Sequence, residues 1–172
     1  RVALAEGNQS VGDRSDNARA VREWTAKAAD RGAHLVAFPE MMLTGYPVED
    51  LALRASFVDA SRAALDQLAA DLVTDGHGDL PVVLGYLDHA PYSIGGATPP
   101  LPQNCSAVLH QGMVKARYAK HHLPNYGVFD EFRLFAPCMH LTVFPTAPTH
   151  LPLPLCSPLS TDVGPPPLSP RP

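Results

Sequence analysis

Charge is scarce in this chain. Only 17% of its 172 residues are charged, with thirteen Lys and Arg against seventeen Asp and Glu, for a net charge of −4. Without a basic excess there is no electrostatic footprint for nucleic acid or for an anionic membrane. Long apolar runs are lacking too. None approaches the roughly 20 residues needed to cross a bilayer. The N-terminus shows no basic-then-apolar leader pattern, which points to a cytoplasmic protein, although Arg1 in place of Met leaves room for sequence upstream. Cysteine is limited to Cys105, Cys138 and Cys156, an odd number with no close pair. That excludes a disulfide framework and a zinc site of paired cysteines. A glycine-rich phosphate loop is also absent, as is any Ser-Gly-Gly-x-Asp-Ser type ATP motif.

What remains is an ordinary soluble composition, 45% apolar, of a length that suits one domain with a buried core. Val2 to Ala5 reads as a first strand and Gly7 to Asp16 as a polar loop. Asp16 or Asn17 can cap a helix running to about Asp30, with Ala20, Val21, Trp24 and Ala28 on one face and Gly32 as its C-terminal stop. His34 to Phe38 is a second strand, apolar enough to be covered on both sides. Met41 to Asp50 is a loop with a short helical turn after Pro47. A helix from about Ser56 to Val73 places Phe57, Ala60, Ala64, Leu68 and Leu72 at three-to-four spacing. Pro81 to Leu87 is a strand, Asp88 to Asn104 a long surface loop, and His110-Gln111-Gly112 joins Ser106–Leu109 to Met113–Ala119 as a hairpin. This order is that of an α/β fold.

The tail differs in character. Ten of the nineteen prolines lie between Pro145 and Pro172, and from Ala136 onward only Asp162 and Arg171 are charged. Prolines two apart in Leu151-Pro-Leu-Pro-Leu155 cannot serve a central strand, so 138–172 reads as extended, polyproline-like or disordered, apart from a domain over 1–137.

Two stretches carry chemistry. In Ala33-His-Leu-Val-Ala-Phe-Pro-Glu40 an apolar strand runs directly into a carboxylate. In Met113-Val-Lys-Ala-Arg-Tyr-Ala-Lys120 an alternating strand ends on a lysine, followed by a Pro/Asn/Gly loop and the acidic pair Asp130-Glu131. Two charges at the tips of two strands suggest one shared cleft.

Phe38-Pro39-Glu40, followed by Leu43-Thr-Gly-Tyr-Pro47, resembles the carbon–nitrogen hydrolase (nitrilase) superfamily around its general base. Lys120-His-His-Leu-Pro-Asn-Tyr-Gly-Val-Phe-Asp-Glu131 and Pro47-Val-Glu-Asp-Leu51 resemble one branch of it, the glutaminase domain of glutamine-dependent NAD synthetases. The likeness runs from Arg1 to about Pro137. It implies a four-layer α-β-β-α sandwich, incomplete in this chain, and hydrolysis of the glutamine side-chain amide. It implies Glu40 as base and Lys120 as oxyanion stabiliser. Tyr46 and Tyr126 would line the glutamine pocket, with Glu131 supporting the site. Counted forward without a gap, the nucleophilic cysteine falls on Cys156. There the chain has Leu155-Cys-Ser-Pro-Leu-Ser160 where members carry Ile-Cys-Glu-Asp-Leu-Trp. The resemblance implies no cofactor in this domain, ATP and Mg being used by a synthetase domain absent from the chain, and a homo-oligomer. A free-standing amidase and a truncated non-catalytic domain are the alternatives. His121-His122 does not read as a metal site, because neighbours on an extended chain point apart.

Overall fold

Alternation and helical periodicity resolve into a mixed sheet with helices packed on it. The computed structural model describes residues 1–91, 100–127 and 129–138, together with the backbone of 143–146 and 149–152. In chain order these hold β1 (Val2–Leu4), α1 (Arg14–Asp30), β2 (Leu35–Ala37), a 3-10 turn (Glu49–Leu53), α2 (Ala55–Thr74), β3 (Val82–His89), β4 (Pro102–His110), β5 (Met113–Ala119), α3 (Glu131–Leu134), β6 (Val143–Thr146) and β7 (Thr149–Pro152). The main sheet has the order β1-β2-β3-β4-β5. β1, β2 and β3 pair in parallel, whereas β3-β4 and β4-β5 are antiparallel. Parallel neighbours need crossovers, and α1 and α2 supply them. Of the four-layer sandwich, the described residues hold the five-stranded sheet with the helices on it, and a separate two-stranded sheet.

Helix α1 begins earlier than its sequence suggests. Asp13 is the N-cap, its carboxylate accepting the Asp16 N–H at 3.1 Å. The expected cap Asn17 is buried, exchanging hydrogen bonds with Ser10 and donating to the Leu43 carbonyl, so it ties the 10–12 loop to the 41–45 loop. The other end matches expectation. Gly32 has φ 69°, and the N–H groups of Gly32 and Ala33 bond Ala29 and Ala28 in a Schellman stop. Trp24 departs from the expected buried face and lies exposed, with the Lys27 ammonium 4.6 Å from its ring centre.

Helix α2 covers the sheet through Leu65, Leu68, Ala69 and Leu72, which meet Val82, Leu84, Tyr86, Cys105, Ala107 and Leu109. Burying each leucine contributes roughly 1.5–3 kcal/mol. In its first turns the buried positions are Val58 and Ser61 rather than the expected Phe57 and Ala60. The reason is a tertiary hydrogen bond: the Ser61 hydroxyl accepts the N–H of Leu87 at 3.1 Å, on the part of β3 that β2 does not pair with.

The expected 88–104 loop is much shorter at both ends. β3 continues to His89 and β4 starts at Pro102, in register Leu87↔Asn104 and His89↔Pro102. Cross-strand pairing overrides the local polarity that suggested a loop. Residues 92–99 of it lie outside the described residues. The β4-β5 hairpin turns through Gln111 (φ 52°) and Gly112 (φ 73°), the two positive values of a type I′ turn. β6 and β7 form a separate two-stranded sheet in which Pro145 faces His150 and Pro152 faces Val143. Extended backbone there agrees with the sequence, and each strand has one partner, as prolines require.

Candidate active site

β2 stops at Ala37 because Pro39 has no N–H to extend the ladder. The chain stays on β3 nonetheless. Phe38 donates to the Val83 carbonyl, Gly85 donates to Pro39, and Leu43 donates to Gly85. The segment so held carries Glu40. It comes so close that a Cβ on Gly85 would lie 2.0 Å from the Met41 nitrogen and 2.8 Å from the Glu40 Cα. Only glycine permits that approach. Gly45 (φ 79°) fulfils the same need further on, where a Cβ would meet Val11 Cα at 2.6 Å. Gly85 pairs with Ser106, and Leu87 with Asn104. Side chains alternate along a strand, so Gly85 and Asn104 share the sheet face opposite Leu84 and Tyr86, the one that α2 does not cover.

Lys120 arrives from the end of β5. Its N–H bonds the Asn104 carbonyl at 2.8 Å and its carbonyl accepts the Cys138 N–H at 2.9 Å, so its backbone is pinned between two segments. Its side chain is 3% exposed. Nζ donates to Glu40 Oε1 at 2.8 Å and to Glu131 Oε1 at 3.1 Å. An ammonium has three donors. Nζ also stands 3.1 Å from Glu131 Oε2, so the ammonium lies across both oxygens of that carboxylate. Glu131 sits in α3, 5% exposed, beside Tyr46.

The electrostatics follow from this packing. Burial pulls the Lys120 ammonium towards neutrality, but hydrogen bonding and charge from Glu40 and then Glu131 outweigh it, so its pKa lies above the ordinary lysine value. Burial pushes the Glu131 carboxyl up, against the opposing pull of Lys120. Burial and the carboxylates of Glu131 and Glu40 keep the Tyr46 phenol protonated. A small open pocket of about 70 Å³ adjoins the cluster, lined by Tyr46, Val48, Glu131, Arg133 and Phe135 among others.

Glu40, Lys120, Glu131 and Tyr46 therefore converge. Tyr126 stands on the following loop, 70% exposed and edge-on to Phe129 at 5.7 Å between ring centres. Cys156 lies outside the described residues. His121 and His122 meet edge to face at 4.5 Å, and His121 Nδ1 contacts the Cys138 carbonyl. Among the described residues no group of three or more His, Cys, Asp or Glu is placed to hold a metal ion. No described helix is long and apolar enough to cross a membrane. One site residue escaped the sequence: Asn104, fully buried, which donates Nδ2–H to Glu40 Oε1. No local pattern marked it, since its partner is 64 residues away.

A lysine held protonated between two carboxylates at the open end of a mixed sheet is an arrangement suited to amide chemistry at a carbonyl. The class is a hydrolase acting on carbon–nitrogen bonds. The carbon-nitrogen hydrolase family matches residues 1–162, and the chain belongs to that family. It is 38% identical over 143 residues to a glutamine-dependent NAD(+) synthetase of Thermotoga maritima and 43% identical over 136 residues to that of Rhodobacter capsulatus. These alignments take in 83% and 78% of the chain but only 23% and 22% of the relatives. The chain thus spans less than a quarter of their length. Among solved structures, the glutamine-dependent NAD+ synthetase of Acinetobacter baumannii superposes with TM-score 0.73 at 30% identity, over 88% of this chain and 26% of that one. An amidase from Nesterenkonia shares the fold, with TM-score 0.67 over 89% of this chain and 54% of its own, at 24% identity.

Proposed function

We propose that the chain is part of the glutamine-hydrolysing half of an NAD synthetase, releasing ammonia and glutamate from glutamine. The observation that carries this is the buried Lys120 ammonium fixed against Glu40, with Glu131 on its other side. In the proposed reaction the Cys156 thiol gives its proton to Glu40 and attacks the amide carbon. The Lys120 ammonium stabilises the oxyanion that develops. On collapse the C–N bond breaks, Glu40 returns the proton to the leaving nitrogen, and ammonia departs from a thioester. Glu40 then takes a proton from water, which attacks the thioester and frees glutamate and the thiol. The nearby ammonium favours thiolate as well as oxyanion. Position 156 falls within the stretch matched by the family, which supports this assignment.

Tyr46 and Tyr126 would line the glutamine pocket, and Glu131 would hold Lys120 in place. The domain itself uses no cofactor. Its ammonia would pass to a synthetase domain, outside this chain, that makes NAD from deamido-NAD with ATP and Mg. We assign the assembly as a cytoplasmic homo-oligomer.

The test is intact-mass labelling of the chain with an electrophilic glutamine mimic. One stoichiometric adduct is expected, lost in Cys156→Ala and slowed about 10²- to 10⁴-fold in Glu40→Gln. A folded chain that takes no adduct would exclude a working glutaminase half and favour a truncated, non-catalytic domain. Faster ammonia release from small aliphatic amides than from glutamine would make it a free-standing amidase.

A further inference from the structure

Glu40 has two carboxylate oxygens, and the protein treats them differently. Oε1 is met by both Lys120 Nζ and Asn104 Nδ2, whereas Oε2 has no hydrogen-bond partner among the described residues. Asn104 is fully buried, and its own Oδ1 is buried without a partner among those residues. The amide cannot be turned round, because its oxygen would then face a carboxylate that offers no proton. Leaving a buried amide oxygen unpaired costs about 1–3 kcal/mol, a cost that a leucine of similar size would avoid. Stability therefore does not explain an asparagine here.

Asn104 also fixes Lys120, since its main-chain carbonyl accepts the Lys120 N–H at 2.8 Å. One residue of β4 thus sets the backbone of the lysine and the side chain of the glutamate. We propose that Asn104 is the positioning residue for the base: it ties up Glu40 Oε1 beside Lys120, so that Oε2 is the oxygen that receives and returns the proton. This rests on the glutaminase reading for the chemistry, though not for the hydrogen bond. Without the amide the carboxylate pivots on Lys120 alone, and either oxygen can meet the ammonium. The proton acceptor then loses its fixed direction, and a misplacement of about 1 Å can cost on the order of 10²-fold in rate.

Two measurements on the full chain decide it. In the 15N-labelled protein one Asn104 side-chain proton should be shifted downfield and slow to exchange. That signal should persist in Glu40→Gln, whose carbonyl still accepts, and vanish in Glu40→Ala. An Asn104 signal indifferent to Glu40→Ala overturns the proposal. In Asn104→Ala, kcat for ammonia release from glutamine, counted per folded molecule, should fall about 10²-fold with KM within about twofold. A variant that melts lower but keeps its kcat per folded molecule shows a structural asparagine and likewise overturns it. If the parent chain releases no ammonia, the glutaminase reading fails, and the resonance alone decides the role of Asn104.

Discussion

Two clusters of charge are buried in this small protein, and they are built on opposite plans. Around Asp88, one carboxylate collects donors from every side: the Tyr86 hydroxyl at 2.6 Å, Arg62 Nε at 2.9 Å, Arg117 Nη1 at 3.3 Å and the His89 N–H at 2.8 Å. Both arginines reach solvent at their far ends, each side chain being 44% exposed. Around Lys120, one cation faces two carboxylates, and the donors run short. Asn104 Oδ1 is buried without a hydrogen bond among the described residues, and Glu40 Oε2, on a side chain 34% exposed, has none either. Glu131 Oε2 is met by the Lys120 charge at 3.1 Å. A buried polar group evolved for stability is satisfied, since each unmade bond costs free energy. The Asp88 carboxylate meets that rule, although Nδ1 of the neighbouring His89 is buried without a partner among the described residues. The Lys120 cluster departs from it at Asn104 Oδ1, the kind of departure that accompanies functional sites.

The largest effect should come from Lys120→Met. It strands the Glu131 carboxylate in the interior without its cation, and the expected loss is about 3–5 kcal/mol of unfolding free energy, with labelling by the glutamine mimic abolished. Chemical denaturation of parent and variant checks this. A loss well under 1 kcal/mol would mean that the cluster is wetter than its burial implies.

Asp88→Asn should cost less, about 1.5–3 kcal/mol, because an amide oxygen remains to accept and the two arginines can turn to water. Labelling per folded molecule should be unchanged. Denaturation and labelling on the same preparation separate the two clusters, and any slowing of the adduct would erase the contrast drawn above.

A pH series sharpens the comparison with the smallest signal. The Lys120 pKa is raised above the ordinary 10.5, so its stabilising contribution is fully present below that value. It is lost as pH rises through the folded value. The gap in melting temperature between parent and Lys120→Met should therefore stay level from pH 6 to about 10 and narrow only beyond the ordinary lysine range. Narrowing already at neutral pH would show that burial, rather than the paired carboxylates, governs this lysine.

Much of the fold was legible along the chain. Apolar runs marked the strands, three-to-four spacing marked α1 and α2, and Gln111-Gly112 marked the hairpin. Most of the errors share one cause. Asn17 drawn away from capping to the Leu43 carbonyl, Ser61 on the buried face, and strands reaching to His89 and from Pro102 depend on hydrogen bonds to other segments. The Glu40–Lys120 pair was legible because each member ends a recognisable apolar strand.

By itself, then, the sequence determined the α/β order, the strand ends that carry Glu40 and Lys120, and the family. Local periodicity and short motifs record what a residue does to its own segment. Only the tertiary structure decided that Gly85 must lack a side chain so that the Glu40 segment can lie against β3. It alone placed Asn104 between Glu40 and Lys120, and gathered Arg62 and Arg117 around Asp88. Those contacts join residues far apart in the chain through strand register and close backbone approach, and neither leaves a periodic trace.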